Sequence, residues 1–514
     1  MTRTPITSGR HRHRMSVAVL GLQNAGALGI LGAVALAAGT VGPFPPATSV
    51  ATASPAPTTL YVEAQGSATG PCTQLQPCSE LSRAVYVADH RPFDEAPITI
   101  VVGAGTYGAH LDLPDAPYPE PSLTIEGSSP ARTILTAAGN GTVLTASADA
   151  PRITLAELTV TGERRPLLDG GNIMDVTDVT FLDNSPGGAL DDDGGVMTVI
   201  GSTFSGNSVR TKTQGGGAIA QTGGKLDISG SLFTANTVSG QGSGSVASGG
   251  AIYVEDGEMH MSASTVTGNT AGAGAGGAAL GLVDTSKAVV VGSTINDNTA
   301  AGPAGLVLLQ GDSTISLGGD ILVDDSGLGG TTCSGGKVVD LGWDLALTTM
   351  ATSCSMNAAG VFVANAGTVD LRPLAYNGGP TKTERLPKTS VAVDAVPSSF
   401  RAETALFCTT EDQRGTPRLQ GGAAHCDIGA YQHAPPVIMS IAPTSGAPNS
   451  TFTVQGYGFS WLDGVTMGGK PLSFSVQPTG FMAYVPDLPA GSADLHVWGP
   501  DGSADATFKV LPVT

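Results

Sequence analysis

Seven stretches of this chain align with one another over fifteen positions without a gap. They begin at Ala150, Gly171, Gly194, Gly223, Asp256, Thr285 and Asp312, and two of them read GGVMTVIGSTFSGNS and GGKLDISGSLFTANT. Positions four and six are apolar in each, as in Met197/Val199, Leu226/Ile228 and Met259/Met261. Apolar residues two apart mark a half-buried strand, and no helical stripe competes with them. Position eleven is apolar again (Phe181, Phe204, Phe233, Val266, Ile295), so a second short strand must follow a bend at positions eight and nine, where Gly and Ser gather. Between units, GGAIA at 216–220, GGAIYV at 249–254 and GGAAL at 276–280 supply a third apolar stretch. One such coil cannot bury its own inner face, so coils must stack on one another. The expected fold is all-β: a three-sided parallel solenoid rising ~4.8 Å per coil.

Position fourteen is Asn184, Asn207, Asn236, Asn269 and Asn298, then Asp325. A ligand site is local, whereas this Asn recurs in every coil. It is expected to point inward at a corner and bond to backbone and to the Asn of the next coil.

Composition agrees with a chain that turns often. Gly numbers 72 of 514 residues, while charged residues make up only 13%. The net charge of −19 argues against nucleic acid as a partner, since phosphate binding needs concentrated Lys and Arg. Residues 1–53 stand apart, with Arg3, Arg10, Arg12 and Arg14, no acid, a long apolar run and Ala51-Thr52-Ala53 as a cleavage site. That pattern predicts a signal peptide, and an uncleaved membrane anchor is the other reading. Export makes disulfides the expected state of the six Cys, which fall into neighbouring pairs Cys72/Cys78, Cys333/Cys354 and Cys408/Cys426.

The FxxN and GGAI repeats (Phe204–Asn207, Phe233–Asn236, Gly216–Ile219, Gly249–Ile252) resemble those of polymorphic outer-membrane proteins and other right-handed parallel β-helix proteins. The segment TTLYVEAQGSATGPCTQLQPCSELSRAVYVA resembles the start of pectate-lyase-like β-helices. Within it, Ser79 can cap a helix whose apolar side carries Leu81, Ala84, Val85 and Ala88, and which would cover the open end of the solenoid. Residues 370–396 and 411–432, with Asn377-Gly378-Gly379-Pro380, Asp412-Gln413-Arg414-Gly415 and Asp427-Ile428-Gly429-Ala430, resemble the choice-of-anchor Q region of exported bacterial proteins. Their Asp and Arg residues are expected to be satisfied polar clamps at the C-terminal end of the solenoid. After Pro435-Pro436, the residues Ile441-Ala442-Pro443, Gly456–Phe459 and Val485–Gly491 resemble an IPT/TIG domain, which implies an Ig-like β-sandwich. The expected organisation is a signal peptide at 1–53, an N-terminal cap and first coils at 54–130, and β-helix repeats at 131–369. The anchor-like region at 370–434 and the IPT/TIG domain at 435–514 complete it.

Chemistry has few places to sit. Stacking sets Lys225 beside Glu258 and Asp227 beside His260 on the outer side of adjacent first strands, a candidate acid–base cluster. The same spacing also describes two cross-strand pairs on a wet face. Asp175, Asp178 and Asp183 together with the loop acids Asp191, Asp192 and Asp193 form an acidic patch that is a candidate for Ca²⁺, although the spacing fits no known calcium loop; no other cofactor is expected. The functional expectation is a monomeric secreted or cell-surface protein acting without catalysis in adhesion, display or carbohydrate binding. Its expected partner is an extracellular polysaccharide or another surface protein, with the membrane engaged only through an uncleaved leader. The alternative is an extracellular polysaccharide lyase or glycoside hydrolase.

Overall fold

The computed structural model describes residues 58–512, apart from 90–96, 114–121, 138–140, 148–149, 151, 164–166, 213–214, 241–246, 302–303, 324–330, 348–354, 357–361, 365–368, 403, 420–422, 460–461, 478–479 and 500. The leader at 1–53, Cys354 and Asp325 therefore lie outside the described residues.

Three long sheets run in chain order, as stacked coils require. The first holds eleven strands, from Thr58–Ser67 to Lys337–Gly342. The second also holds eleven, from Gly105–Ala109 to Phe362–Ala364, and the third holds nine, from Leu111–Leu113 to Thr331–Ser334. Each strand pairs in parallel with its counterpart one coil away, and the fifteen-position alignment is the pairing register: Met197 faces Leu226, and Phe204 faces Phe233. The chain is a right-handed parallel β-helix followed by an Ig-like sandwich. Positions four, six and eleven fill its core, where Phe181, Phe204 and Phe233 stack with ring centroids 4.7 Å apart.

The bend at position eight has a specific backbone cause. Gly201, Gly230, Gly292 and Gly319 all take φ between 58° and 71°, the left-handed region that glycine enters without steric cost. Glu157, Asp178 and Ala263 hold the same corner with φ of 56°, 53° and 44°. Position thirteen repeats the device at Asp183, Gly206, Ala235, Gly268 and Asp297. Two left-handed corners per coil therefore turn the chain between its faces.

The expected Asn ladder forms behind the second corner. Asn184, Asn207, Asn236 and Asn269 each donate through Nδ2 to Oδ1 of the next Asn at 2.7–2.9 Å, and Asn236 also donates to the Phe204 carbonyl at 3.0 Å. A second ladder at position nine escapes the sequence reading, which assigned those serines only to a bend. The backbone N–H groups of Ser202, Ser231 and Ser264 donate to the hydroxyls of Ser231, Ser264 and Ser293. Asp320 accepts from Ser293 N at 2.7 Å, and Asp344 accepts from Asp320 N at 2.8 Å.

The solenoid departs from three plain sides in one region. Ser208–Thr211, Thr237–Gly240, Thr270–Ala271 and Thr299–Ala300 form a fourth, narrow sheet. It buries Val209, Val238, Ala271, Ala275 and Ala278 in a satellite core. At the N-terminal end the helix Leu81–Asp89 forms as expected, with Leu81 and Ala84 fully buried against the first strands.

Among the described residues, those of 370–434 bond to coils well before the last one, so the clamps lie along the flank of the solenoid rather than only at its C-terminal end. They fold back as a strap along the second face. Thr381 donates to the Gly230 carbonyl, Arg418 to the Gly292 carbonyl, and Gly429 N to the Gly319 carbonyl. The physical reason lies in the outward positions ten and twelve of that face. Leu232, Thr265, Thr267, Thr294, Asn296 and Ile321 are all buried although they point away from the solenoid core. Apolar and hydroxyl groups there need a cover, and Phe407, Cys408, Ile428 and Tyr431 supply its apolar part. Cys408 and Cys426 are disulfide-bonded within the strap, as are Cys72 and Cys78 near the N-terminal helix; Cys333 is disulfide-bonded too.

The C-terminal sandwich packs the sheet Val437–Ala442, Thr451–Tyr457, Gly480–Tyr484, Phe474–Gln477 on a five-stranded sheet. Phe452, Phe481, Leu495 and Phe508 lie between them.

Candidate functional site

The first face brings the candidate quartet together in the expected register. Lys225 pairs with Glu258 and Asp227 with His260 on adjacent strands Lys225–Ser229 and Glu258–Ser262. The contacts within it differ from the expectation. Lys225 Nζ turns along its own strand to Asp227 Oδ2 at 2.7 Å, and Glu258 stands between Lys225 and Lys287 in the column of position three. Glu258 and His260 are exposed, so the arrangement is a charge-alternating surface column rather than an enclosed acid–base pair. Further along the same face Arg152 binds Asp175 at 2.6 Å.

The acidic patch proposed for Ca²⁺ does not assemble. Asp175 lies on the first face, Asp178 at the first corner, Asp183 at the second, and Asp191–Asp193 on the third face. Asp191, Asp192 and Asp193 belong to the strand Leu190–Asp193, not to a loop, and alternation sends their side chains to opposite sides. Asp192 is buried, accepting from Gln221 Nε2 and, at 3.1 Å, from Gly195 N. Among the described residues, no group of three or more His, Cys, Asp or Glu side chains is arranged to hold a metal ion.

Apart from the Tyr253 hydroxyl on the third face, which burial and its bond to Glu255 push up, the most strongly perturbed groups sit in or under the strap. Burial pushes the carboxyls of Asp320 and Asp344 up, and the charge of Asp320 raises Asp344 further. Burial likewise lowers Arg418, which is enclosed between the Phe407 ring and the carbonyls of Gly292 and Asp427. Asp412 and Arg414 form a buried bidentate pair at 2.6 and 2.9 Å, with the guanidinium 3.7 Å from the Tyr431 ring centre. Their chemistry is structural, because every one of these groups bonds backbone or its neighbour inside the fold. The sequence marked Asp412, Arg414, Arg418 and Asp427, as Asp and Arg residues of 411–432, but gave no sign of Asp320 or Asp344.

A second polar cluster joins the strap to the sandwich. Asp501 lies 3.1 Å from both Arg385 Nη1 and His433 Nε2, and all three side chains are largely buried. The contact with Asp501 raises His433 above its ordinary 6.5. Against its own burial, Asp501 is held below the usual carboxylate range by His433 and Arg385. Burial raises Asp427, whose carboxylate accepts from His433 N, to about 6. The raised pKa of His433 means that its stabilising charge is fully present below 6.5 and is lost as pH rises through the folded value. Asp427 acts in the same sense: stability present below its ordinary 3.8 is lost as pH climbs through about 6. Asp501 acts oppositely, losing its contribution as pH falls below 3.8. Urea midpoints measured from about pH 4 to about pH 9 should therefore decline on the alkaline side, and His433→Gln should flatten the part of that limb near neutrality. An unchanged alkaline limb in His433→Gln would remove His433 from this account.

Residues 167–338 match the family model described as right handed beta helix region, and residues 436–510 match that of the IPT/TIG domain. No curated protein matches the chain. Among solved structures, it is similar to a pectin methylesterase from carrot, at 15% identity over 55% of this chain and 88% of that one, with a TM-score of 0.24. It is also similar to a rhamnogalacturonan lyase, at 12% identity over 62% of this chain and 91% of that one, with a TM-score of 0.25. Likeness at this level says nothing about activity.

Proposed function

We propose that this is an exported protein, secreted or held at the cell surface, whose β-helix is a rigid rod for adhesion, display or carbohydrate binding without catalysis. The observation that carries this reading is the placement of its perturbed ionisable groups. Asp320 and Asp344 are buried in the solenoid coils that the strap covers, and Asp427 and Arg418 are buried within the strap itself, where a substrate would have to displace the cover to reach them. On the open first face, Lys225 and Asp227 bind each other, and Glu258 stands between Lys225 and Lys287. In this reading residues 1–53 are the export leader, compatible with disulfides at Cys72–Cys78 and Cys408–Cys426. Among the described residues no helix is long and apolar enough to cross a membrane. The resemblance of 370–434 to the choice-of-anchor Q region fits a segment that fastens modules to a β-helix. The partner is an extracellular polysaccharide or a surface protein.

The test is incubation of the purified mature protein with acidic and neutral polysaccharides, with and without Ca²⁺. Retention on at least one polysaccharide with no new reducing or unsaturated ends is the expected result. Release of such ends over time would replace this reading with a lyase or hydrolase, and Asp227→Ala/His260→Ala would then show whether the first-face quartet carries it.

A further inference from the structure

A cleft of about 360 Å³ opens between the strap and the sandwich. Junctions between modules are preferred places for ligand sites, and this volume lies in the range such sites occupy. One wall is the strap at Asn377–Gly379 and Arg414–Thr416; the other is the outer side of the sandwich sheet.

The sheet wall has an unusual row. Ser440, Gln455, Gly480 and Gln477 are direct partners across four adjacent strands. Gly480 accepts no side chain, since a Cβ there would lie 1.9 Å from the Val454 carbonyl oxygen. It leaves a gap with a glutamine on either side. Ser440 Oγ donates to Gln455 Oε1 at 3.2 Å, so the amide oxygen is engaged along the row and the Gln455 NH₂ group remains to donate. On the strap wall, Gly378 and Gly379 hold φ of 96° and 75°, so bare backbone lines that part of the wall beside Asn377, Arg414 and Thr416.

Charge in the cleft is already neutralised. Arg414 spends its guanidinium on Asp412, Asn377 O and Gln432 O. What remains is a set of amide and backbone hydrogen-bonding groups, with Tyr457 in the lining. Tyr376, next in chain to the lining residue Asn377, is 70% exposed and offers an aromatic face to solvent, with Lys382 Nζ 5.1 Å from its centre. Within the lining, amides that donate and accept, with Tyr457 beside them and no unpaired charge, match the hydroxyl pattern of an uncharged sugar. A polyuronate would find no free cation among the lining residues, Lys382 standing outside them over Tyr376, and would meet a chain with a net charge of −19.

We infer that the junction cleft is a binding site for a neutral oligosaccharide, held by Gln455 and Gln477 across the Gly480 gap. This rests on the carbohydrate-binding form of the proposed function. The mature protein is titrated calorimetrically with cellohexaose, maltohexaose, xylohexaose and oligogalacturonate, alongside Gln455→Ala/Gln477→Ala, with the urea midpoint of each protein measured. At least one neutral hexaose should bind, and the double variant should weaken it tenfold or more at an unchanged midpoint. Binding that the double variant leaves intact would overturn the cleft while keeping carbohydrate binding, and preference for oligogalacturonate would overturn the ligand class. Retention on a polysaccharide without binding of any neutral hexaose would likewise overturn the cleft alone. The absence of both would sink the cleft together with carbohydrate binding.

Discussion

Replacing Asn236 by Ala should cost about 3–5 kcal/mol, a large effect for one uncharged side chain. Asn236 Oδ1 accepts from both N and Nδ2 of Asn207, at 3.0 and 2.9 Å, and its Nδ2 serves Phe204 O and Asn269 Oδ1. The substitution orphans groups in two neighbouring coils, and Asn236 is fully buried, so water cannot replace them without opening the corner. Asn236→Asp should be at least as harmful, because its carboxylate would face the Asn269 acceptor oxygen. A urea titration reports the loss, and hydrogen exchange at Asn207 and Asn236 should show it to be centred on those coils. A cost below about 1 kcal/mol would mean that the ladder merely decorates a corner already fixed by its left-handed residue.

Asp412→Ala should cost a comparable ~3–5 kcal/mol, by a different route. Its carboxylate accepts from Arg414 N, Nε and Nη2, from Thr416 N and from Gln432 N, all at 2.6–2.9 Å. Removing it leaves the Arg414 charge buried without its partner. The damage should remain in the strap. Limited proteolysis is expected to cut near 410–432 in the variant, while exchange protection of the Asn ladder persists. Simultaneous loss of both would show that strap and solenoid unfold as one body. Arg414→Met in the Asp412→Ala background should recover part of the loss by removing the stranded charge.

The part of this fold that repeats was legible, because a two-residue period aligned over several coils is visible within each short stretch. Met197, Leu226 and Met259 declare the inner face on their own. The corners were legible where glycine marks them, as at Gly201 and Gly230, and hidden where Asp178 or Ala263 occupies the same left-handed backbone. The serines at position nine were in plain view, yet nothing local separates a serine that bends a chain from one that accepts the next coil's N–H. The strap was hidden for a stronger reason. Thr265 meets Gln413 across 148 residues and Gly292 meets Arg418 across 126, so no local pattern connects them. One signal was available: Leu232 and Ile321 are apolar at an outward position, and an outward apolar residue asks for a cover. The Asp191–Asp193 triplet misled because three adjacent acids suggest a shared target, whereas a strand points neighbours in opposite directions.

The strap also decides how a pull on this molecule would be carried. A stacked coil normally takes tension at its last turn and peels from there, one turn after another. Here the sandwich is fastened through Asp501 to Arg385 and His433, and the strap is bonded flank-on to turns from Gly230 to Gly319. Force applied to the sandwich enters the solenoid sideways, across several turns at once, as shear rather than unzipping. Bonds loaded in parallel share the load, so a tether built this way would hold until many of them failed together.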